Sequence, residues 1–224
     1  MWKVSWFCII CISLWSCKDE GSAHQGTHSN SKTEIIKIYN AIQDGNGYKH
    51  GDLLYVEKNI WNKGQKSETH YLNPDNSLKG KEIQKFIGND TLSSGADYFD
   101  STGKLLSYYR FIYDNSGKKT SSEAFDGSTN EVLRFEKYTY DHNGFLASKT
   151  IVDQNFYPSR KYVFTNDFYG NVTEMFILNE NQDTIGKETY KIMQYDDEKQ
   201  WLEKWGFVND TPKTYYQRVF EPLK

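Results

Sequence analysis

The chain has 224 residues, which is room for one medium domain or two small ones. Its net charge of −3 provides no surplus of basic residues, so nucleic acid is excluded as its main partner. The 17 Tyr and 13 Phe residues, with a mean hydropathy of −0.78, favour a sheet with half-buried rings over a thick aliphatic core.

Residues 1–16, MWKVSWFCIICISLWS, form an apolar run with one cation, Lys3. The run is shorter than the roughly 20 residues that a membrane-spanning helix needs. It fits a secretory signal peptide, which has a short basic start and an apolar middle. A buried N-terminal helix or strand is the alternative. All three cysteines lie within residues 1–17, so the rest of the chain contains no disulfide and no thiolate metal site.

The end of this run, LWSC, closes on Cys17 and resembles the lipobox of bacterial lipoproteins. Trp15 departs from the small residue that is commonest at its position. The resemblance implies that Cys17 is acylated, becomes the first residue of the mature protein and attaches it to a membrane. Acyl chains anchor a protein firmly, since each buried CH₂ contributes about 0.8 kcal/mol.

Lys18, Asp19 and Glu20 follow the cysteine and are similar to the export signal of Bacteroidota lipoproteins. That resemblance implies a lipid-anchored protein of the outer membrane that faces the cell exterior. The periplasmic face is the alternative location, and a solvated polar linker is the alternative interpretation of these residues. Residues 17–32 are rich in Gly, Ser, Asn and His, which is typical of a flexible tether behind the lipidated Cys17.

Residues 33–52 are predicted to form the one helix of the chain and a turn. Ser31 and Glu34 match a capping box, and Ile35, Ile38 and Ile42 fall on one helical face. Gly45 or Gly47 would end the helix. The adjacent β-branched residues Ile35 and Ile36 make a strand the alternative.

Residues 53–224 repeat a pattern of strand and turn. One series of turns contains YDNSG, YDHNG, TNDFYG and YDDEK, and the intervals from Tyr113 to Tyr140, Asn166 and Tyr195 are 27, 26 and 29 residues. A second series of Asp/Asn turns, such as YFDSTG and AFDGSTN, lies between them. The 8–10 residues between turns are rich in Tyr, Phe, Val, Ile and Thr, as strands are.

This spacing leaves no room for intervening helices, so successive strands pair antiparallel as hairpins. We therefore expect an all-β fold, an antiparallel up-and-down meander of about a dozen strands with one short N-terminal helix. A flat sheet of that size is unfavourable. The sheet should be strongly twisted or rolled into an open half-barrel.

The recurring YDxxG turn, best seen in YDHNGFL, resembles the tyrosine–aspartate (YD, or Rhs-type) repeat over residues 71–220. Large Rhs proteins enclose a toxin in a shell of such strands, and this domain is too small for that role. The repeated Tyr is interpreted as packing over the neighbouring hairpin, and the repeated Asp as capping its turn.

Catalytic and metal-binding motifs are not found in the sequence, and we predict no catalytic residue, no metal site and no cofactor. Trp201 and Trp205 are the one aromatic pair that suggests a binding site. On a regular strand they would share a face about 13 Å apart and could form a platform for an oligosaccharide. Packing of both rings in the core is the alternative.

These features favour a surface-anchored lipoprotein whose non-catalytic β-repeat module recognises an unknown protein or glycan. An immunity, antitoxin-like lipoprotein is the first alternative, since the acidic net charge would suit a basic toxin. An envelope hydrolase is the second alternative.

Overall fold

The computed structural model describes residues 31–45, 47–62, 64–86 and 92–222, and within them every regular element is a β-strand. The strands, in chain order, are β1 Lys32–Asp44, β2 Gly47–Asn62, β3 Gln65–Leu72, β4 Leu78–Phe86, β5 Ser93–Asp100, β6 Leu105–Tyr113, β7 Lys119–Asp126, β8 Val132–Tyr140, β9 Leu146–Val152, β10 Pro158–Asn166, β11 Val172–Leu178, β12 Thr184–Tyr195, β13 Trp201–Val208 and β14 Thr211–Pro222.

The fourteen strands form a closed antiparallel barrel. Each strand pairs with its neighbours along the chain, and β1 pairs with β14 from Lys32↔Pro222 to Asn40↔Thr214. The prediction of an antiparallel meander is confirmed, but the predicted open half-barrel is wrong. Closure satisfies the backbone groups of both edge strands, which an open sheet would leave unpaired.

The helix predicted within residues 33–52 is also wrong, because this segment forms β1 and the first part of β2. The turn predicted behind it contains the β1–β2 connection, where Asp44 pairs with Gly47. Ile35, Ile36 and Ile38 suit a strand, and β1 has a pairing partner on each side. Glu34 does not close a capping box. Its carboxylate instead pairs with Arg218 of β14 and accepts a hydrogen bond from Asn59 of β2.

The five-residue turns of both series follow one hydrogen-bonding scheme, and the turn at 126–131 is one residue longer. At residues 114–118 the Asp114 N–H donates to the carbonyl of Lys118 at 2.9 Å, and the Gly117 N–H donates to the carbonyl of Asp114 at 3.1 Å. The Asp114 carboxylate also accepts from the N–H of Ser116 at 2.8 Å. Gly117 has φ +84°, a conformation that glycine adopts without strain. The predicted capping role of the repeated Asp is therefore confirmed.

In two of the repeats, the Tyr before the turn ties its hairpin to the strand before it. Tyr113 at the end of β6 donates its hydroxyl to the carbonyl of Ser93 at the start of β5, at 2.7 Å. Tyr140 at the end of β8 donates to the carbonyl of Lys119 at the start of β7, at 2.9 Å. These bonds clamp strand ends, which agrees with a structural role for the repeated Tyr.

One face of every strand points into the barrel, and that face is a mixture of aromatic, aliphatic and ionisable side chains. Tyr162, Phe164, Val172, Met175 and Tyr190 form a buried apolar cluster under β10–β12. Lys66, Glu57, Glu136 and Lys204 are also buried. The interior is thus divided between a hydrocarbon core and a network of charges.

The barrel has two rims, because the chain runs alternately up and down. The terminal rim contains the start of β1, the end of β14 and the turns at 114–118, 141–145, 167–171 and 196–200. The distal rim contains the β1–β2 turn and the turns at 73–77, 100–104, 126–131, 153–157 and 179–183.

Candidate binding surface

The predicted lipidation and export residues, Cys17, Lys18, Asp19 and Glu20, lie outside the described residues. Lys32, at the start of β1, lies on the terminal rim. A tether formed by residues 17–32 would therefore join the barrel at that rim.

Trp201 and Trp205 do not share a face, so the platform predicted for this pair is not formed. Trp201 is 3 % exposed, and its ring packs against Tyr216 at a centroid distance of 6.3 Å. Trp205 packs against Tyr215, at 4.9 Å. Tyr215 and Tyr216 are adjacent in β14, so their side chains point to opposite sides of the sheet. Trp201, which packs on Tyr216, therefore points inward, and Trp205, which packs on Tyr215, points outward. Register shifts between Ile192 and Tyr195 of the paired strand β12 mark the irregularity that breaks simple alternation.

Trp205 belongs to a cluster of six rings on the outer face, here called the aromatic surface: Tyr39, Tyr48, His50, Trp205, Phe207 and Tyr215. Cross-strand register builds its centre, since Tyr215 of β14 is opposite Tyr39 of β1 and Trp205 of β13. The Tyr39 and Tyr215 ring centroids are 6.0 Å apart. Directly opposed side chains on a sheet face are close enough to pack, which explains the contact.

The β1–β2 hairpin completes the aromatic surface by folding over its neighbours. Residues 41–54 extend beyond the part of the hairpin that pairs with β14 and β3. Register shifts on either side of Tyr39 permit a bend there. Tyr48 near the tip reaches Trp205 at 6.3 Å and Phe207 at 6.4 Å, although β1 and β14 lie between β2 and β13. The hairpin therefore leans across the outside of the barrel.

Flat rings and polar groups alternate on this surface. His50 is exposed and stacks on Tyr215 with centroids 5.5 Å apart and ring planes 20° apart. The Tyr215 hydroxyl donates to the carboxylate of Glu203, and partial burial together with that bond raises the pKa of Tyr215 above its usual value. Tyr48 is 48 % exposed. The arrangement offers apolar faces for stacking and a carboxylate, hydroxyls and an imidazole for hydrogen bonding.

No local pattern in the sequence predicts the buried charges inside the barrel. Arg218 Nε lies 3.0 Å from Glu34 Oε1, and Asn59 Nδ2 donates to Glu34 Oε2 at 2.8 Å. Lys204 Nζ lies 4.2 Å from the Trp201 ring centroid, and Arg218 Cζ lies 4.0 Å from it. Trp201 is thus in contact with two cations as part of the interior packing.

Burial alters the acidity of this network. It raises the pKa of Glu57 to about 7, against the attraction of Lys66. It lowers the pKa of Lys66 to about 8 and that of Lys204 to about 7. Perturbed groups of this kind mark functional sites or structural ion networks, and here their enclosure by packed neighbours indicates the structural role.

Within the described ranges, no cluster of three or more His, Cys, Asp or Glu side chains is arranged to hold a metal ion. No helix in that part of the chain is long and apolar enough to cross a membrane.

Comparison with known proteins identifies no family, since no family model matches the chain and no curated protein matches it. The resemblance to YD repeats therefore stays a prediction. A porin-like protein from Bacteroides uniformis is similar in structure, with a TM-score of 0.47 and 8 % identity over 86 % of this chain and 96 % of that one.

A LolA superfamily protein from Nitrosomonas europaea gives a TM-score of 0.31 at 7 % identity, over 88 % of this chain and 87 % of that one. A domain from Vibrio parahaemolyticus assigned to outer membrane lipoprotein sorting gives 0.34 at 7 % identity, with the same coverage. These TM-scores are too low to support an argument about function, which rests on the residues of this chain.

Proposed function

We propose that this protein is a surface-anchored lipoprotein whose barrel binds a glycan, without catalysis, on the aromatic surface. The supporting observation is the contiguous set of six rings on the outer face, with Tyr48 and His50 exposed at its edge. The other four rings are half-buried. A partly exposed apolar patch bordered by polar groups is typical of a binding site.

The geometry of the aromatic surface suits a sugar chain. Tyr39, Tyr215 and Trp205 lie on three adjacent strands, β1, β14 and β13, which span about 10 Å. That is the length of two linked sugar rings. The C–H face of a sugar packs on an aromatic ring, while Glu203 and the nearby hydroxyls can bond the sugar hydroxyls. A protein partner is the alternative occupant, and the test below distinguishes it.

The proposed anchor joins the barrel at the rim farther from this surface. In the proposed protein, Cys17 is acylated and the chain enters the barrel at Lys32 on the terminal rim. Trp205 and Phe207 lie along β13 towards the distal rim, where the β1–β2 hairpin folds over them. The three charges Lys18, Asp19 and Glu20 support export to the cell exterior, where glycans are available.

Glycan binding is tested with residues 18–224 on a glycan array, followed by calorimetry on any sugar that binds. We expect Trp205→Ala and Tyr48→Ala each to weaken binding about tenfold, which is about 1.4 kcal/mol for one lost stacking ring. Tyr157→Ala is the matched control, because Tyr157 is 70 % exposed on the distal rim outside the aromatic surface. If no sugar on the array binds, or if Trp205→Ala binds the sugar as the wild type does, the proposal of glycan binding on the aromatic surface is wrong. If the wild type captures a protein that Trp205→Ala does not capture, a protein partner replaces the glycan as the occupant of the surface.

The lipid anchor is tested separately, by labelling the full chain with a radioactive fatty acid in a bacterial host. We expect label in the wild type and none in Cys17→Ser. Label retained in Cys17→Ser would refute the anchor without affecting the glycan site.

A further inference from the structure

One turn of the terminal rim differs from its repeats in a way that the fold does not require. Asp167–Asn171 closes like the other turns, with Asp167 N–H donating to the Asn171 carbonyl at 2.9 Å and Gly170 N–H to the Asp167 carbonyl at 3.1 Å. The second and third positions hold Asn115 and Ser116 in one repeat, and His142 and Asn143 in the next. Here they hold Phe168 and Tyr169.

These two rings project from the barrel. Phe168 is 87 % exposed and Tyr169 is 42 % exposed. They contact each other at 5.5 Å, and Tyr169 contacts Tyr195, itself 40 % exposed, at 6.2 Å. Polar residues serve the same turn in the neighbouring repeats, so the rings are not needed for folding. Such a patch indicates contact with a partner.

Further apolar side chains lie on the same rim, at the point where the chain enters the barrel. Val219 and Phe220, near the end of β14, are 39 % and 37 % exposed. Lys32 Nζ lies 4.7 Å from the centroid of the Phe220 ring. Aromatic rings beside a lysine are typical of protein segments at a membrane–water interface, where the ring enters the headgroup layer and the ammonium stays in water.

The course of the chain identifies the partner. At most 14 residues separate Cys17 from Lys32, and fully extended they reach about 50 Å. Because the tether joins the barrel at Lys32, the terminal rim is the rim nearest to the anchor along the chain. We propose that Phe168, Tyr169 and Tyr195 dock the barrel on the lipid surface, an inference that rests on the proposed anchor.

The charge of the rim predicts which lipid it contacts. Asp196, Asp197 and Glu198 outnumber the one cation, Lys199, in the turn that follows Tyr195. These carboxylates are repelled by anionic headgroups, because charges in water interact over a Debye length of about 8–10 Å. We therefore expect docking on zwitterionic lipid, weakened by anionic lipid.

The test anchors the barrel by chemistry, so that its result does not depend on acylation in the cell. Cys17 is the sole cysteine of residues 17–224 and can be coupled to a maleimide lipid in phosphatidylcholine vesicles. The described barrel uses only residues 32–222, so this chain keeps every strand. The measurement is quenching of tryptophan fluorescence by brominated phosphatidylcholine, in F168W and in F156W, with the unsubstituted chain as background.

We expect brominated lipid to remove at least half of the fluorescence added by F168W and none of that added by F156W. Phe156 is the matched control, since it is 67 % exposed on a turn of the distal rim. Replacing a third of the lipid by phosphatidylglycerol should reduce the F168W quenching. Equal quenching of both variants, or of neither, would overturn the proposal. So would a dimer in solution that F168N/Y169S dissociates, which would assign the patch to a second copy of the chain.

The outcome is separate from that of the fatty-acid labelling. If F168W is quenched but Cys17 carries no label in cells, the proposal of lipid docking by the terminal rim stands and the proposal of acylation at Cys17 is wrong. If Cys17 is labelled but F168W is not quenched, the proposal of acylation stands and the proposal of lipid docking is wrong.

Discussion

Glu57 shows at the scale of one residue how the barrel interior depends on pH. Its carboxyl is buried near Lys66, and burial raises its pKa from 4.5 to about 7. Between these two values the folded chain binds more protons than the unfolded chain, so the free energy of unfolding falls as the pH rises.

Glu57→Gln removes this titration and keeps the shape of the side chain. We expect the free energy of unfolding of the wild type, measured relative to Glu57→Gln, to fall by up to about 3 kcal/mol from pH 4.5 to pH 7. Urea unfolding at half-unit steps measures it. Glu131→Gln, at an exposed glutamate, is the control and should run parallel to the wild type. Parallel curves for Glu57→Gln would show that Glu57 titrates normally.

The two buried lysines act in the opposite direction. Burial lowers the pKa of Lys66 to about 8 and of Lys204 to about 7, from 10.5. Above these values the unfolded chain binds more protons, so the free energy of unfolding rises with pH up to about 10.5. Glu57, Lys66 and Lys204 together therefore contribute least to the free energy of unfolding near neutral pH.

At the scale of the element, β5 depends on one residue without a side chain. A Cβ on Gly95 would collide with the backbone carbonyl oxygen of Tyr109 on the paired strand β6. A backbone atom cannot move away as the end of a side chain can. We expect Gly95→Ala to lower the free energy of unfolding by about 1–3 kcal/mol, the usual cost of overpacking.

Gly47→Ala is the control for this prediction. A Cβ at Gly47 would meet only the carbonyl oxygen of Asp44, at 3.7 Å, which is an ordinary contact. Urea unfolding of both variants measures the difference. Equal stability of Gly95→Ala and Gly47→Ala would contradict the close approach of β5 and β6.

The elements also show which parts of the structure the sequence could predict. Strands and turns beyond residue 53 were predicted, because Asp–Gly turn chemistry acts within five residues. The segment 33–52 was predicted as a helix, because Ile35, Ile38 and Ile42 are spaced for a helical face but also suit a strand. Pairing with β14, whose residues lie 174 to 190 positions further along the chain, decided between them.

The aromatic surface could be predicted only in part, because it too depends on strand pairing that is distant in the sequence. Trp205 was identified, but its companion Trp201 points inward because the register of β12 and β13 shifts between them. Tyr215 joins Trp205 across the β13–β14 hairpin, but Tyr39 and His50 join them only through closure of the barrel and the bend of the first hairpin. Long-range register of this kind leaves no local pattern in the sequence.

At the scale of the whole molecule, the pairing of the first strand with the last distinguishes a closed barrel from an open sheet. Ile35 and Val219 are directly opposed across this seam. Residues 18–224 contain no cysteine, so a pair introduced there can form only one disulfide. Opposed residues of neighbouring strands are close enough for the bond, which accepts Cα separations of about 4.4–6.8 Å.

We expect Ile35→Cys/Val219→Cys to oxidise quantitatively in the folded state, as shown by faster migration on non-reducing gels. The disulfide closes a loop of most of the chain, so it should raise the free energy of unfolding by about 2–4 kcal/mol over the reduced form. Ile35→Cys/Thr165→Cys is the matched control, because β10 and β1 are separated by four strands and should not cross-link. A half-barrel with free edges would leave Ile35→Cys/Val219→Cys as unlinked as the control, since the two ends of the sheet would then not meet.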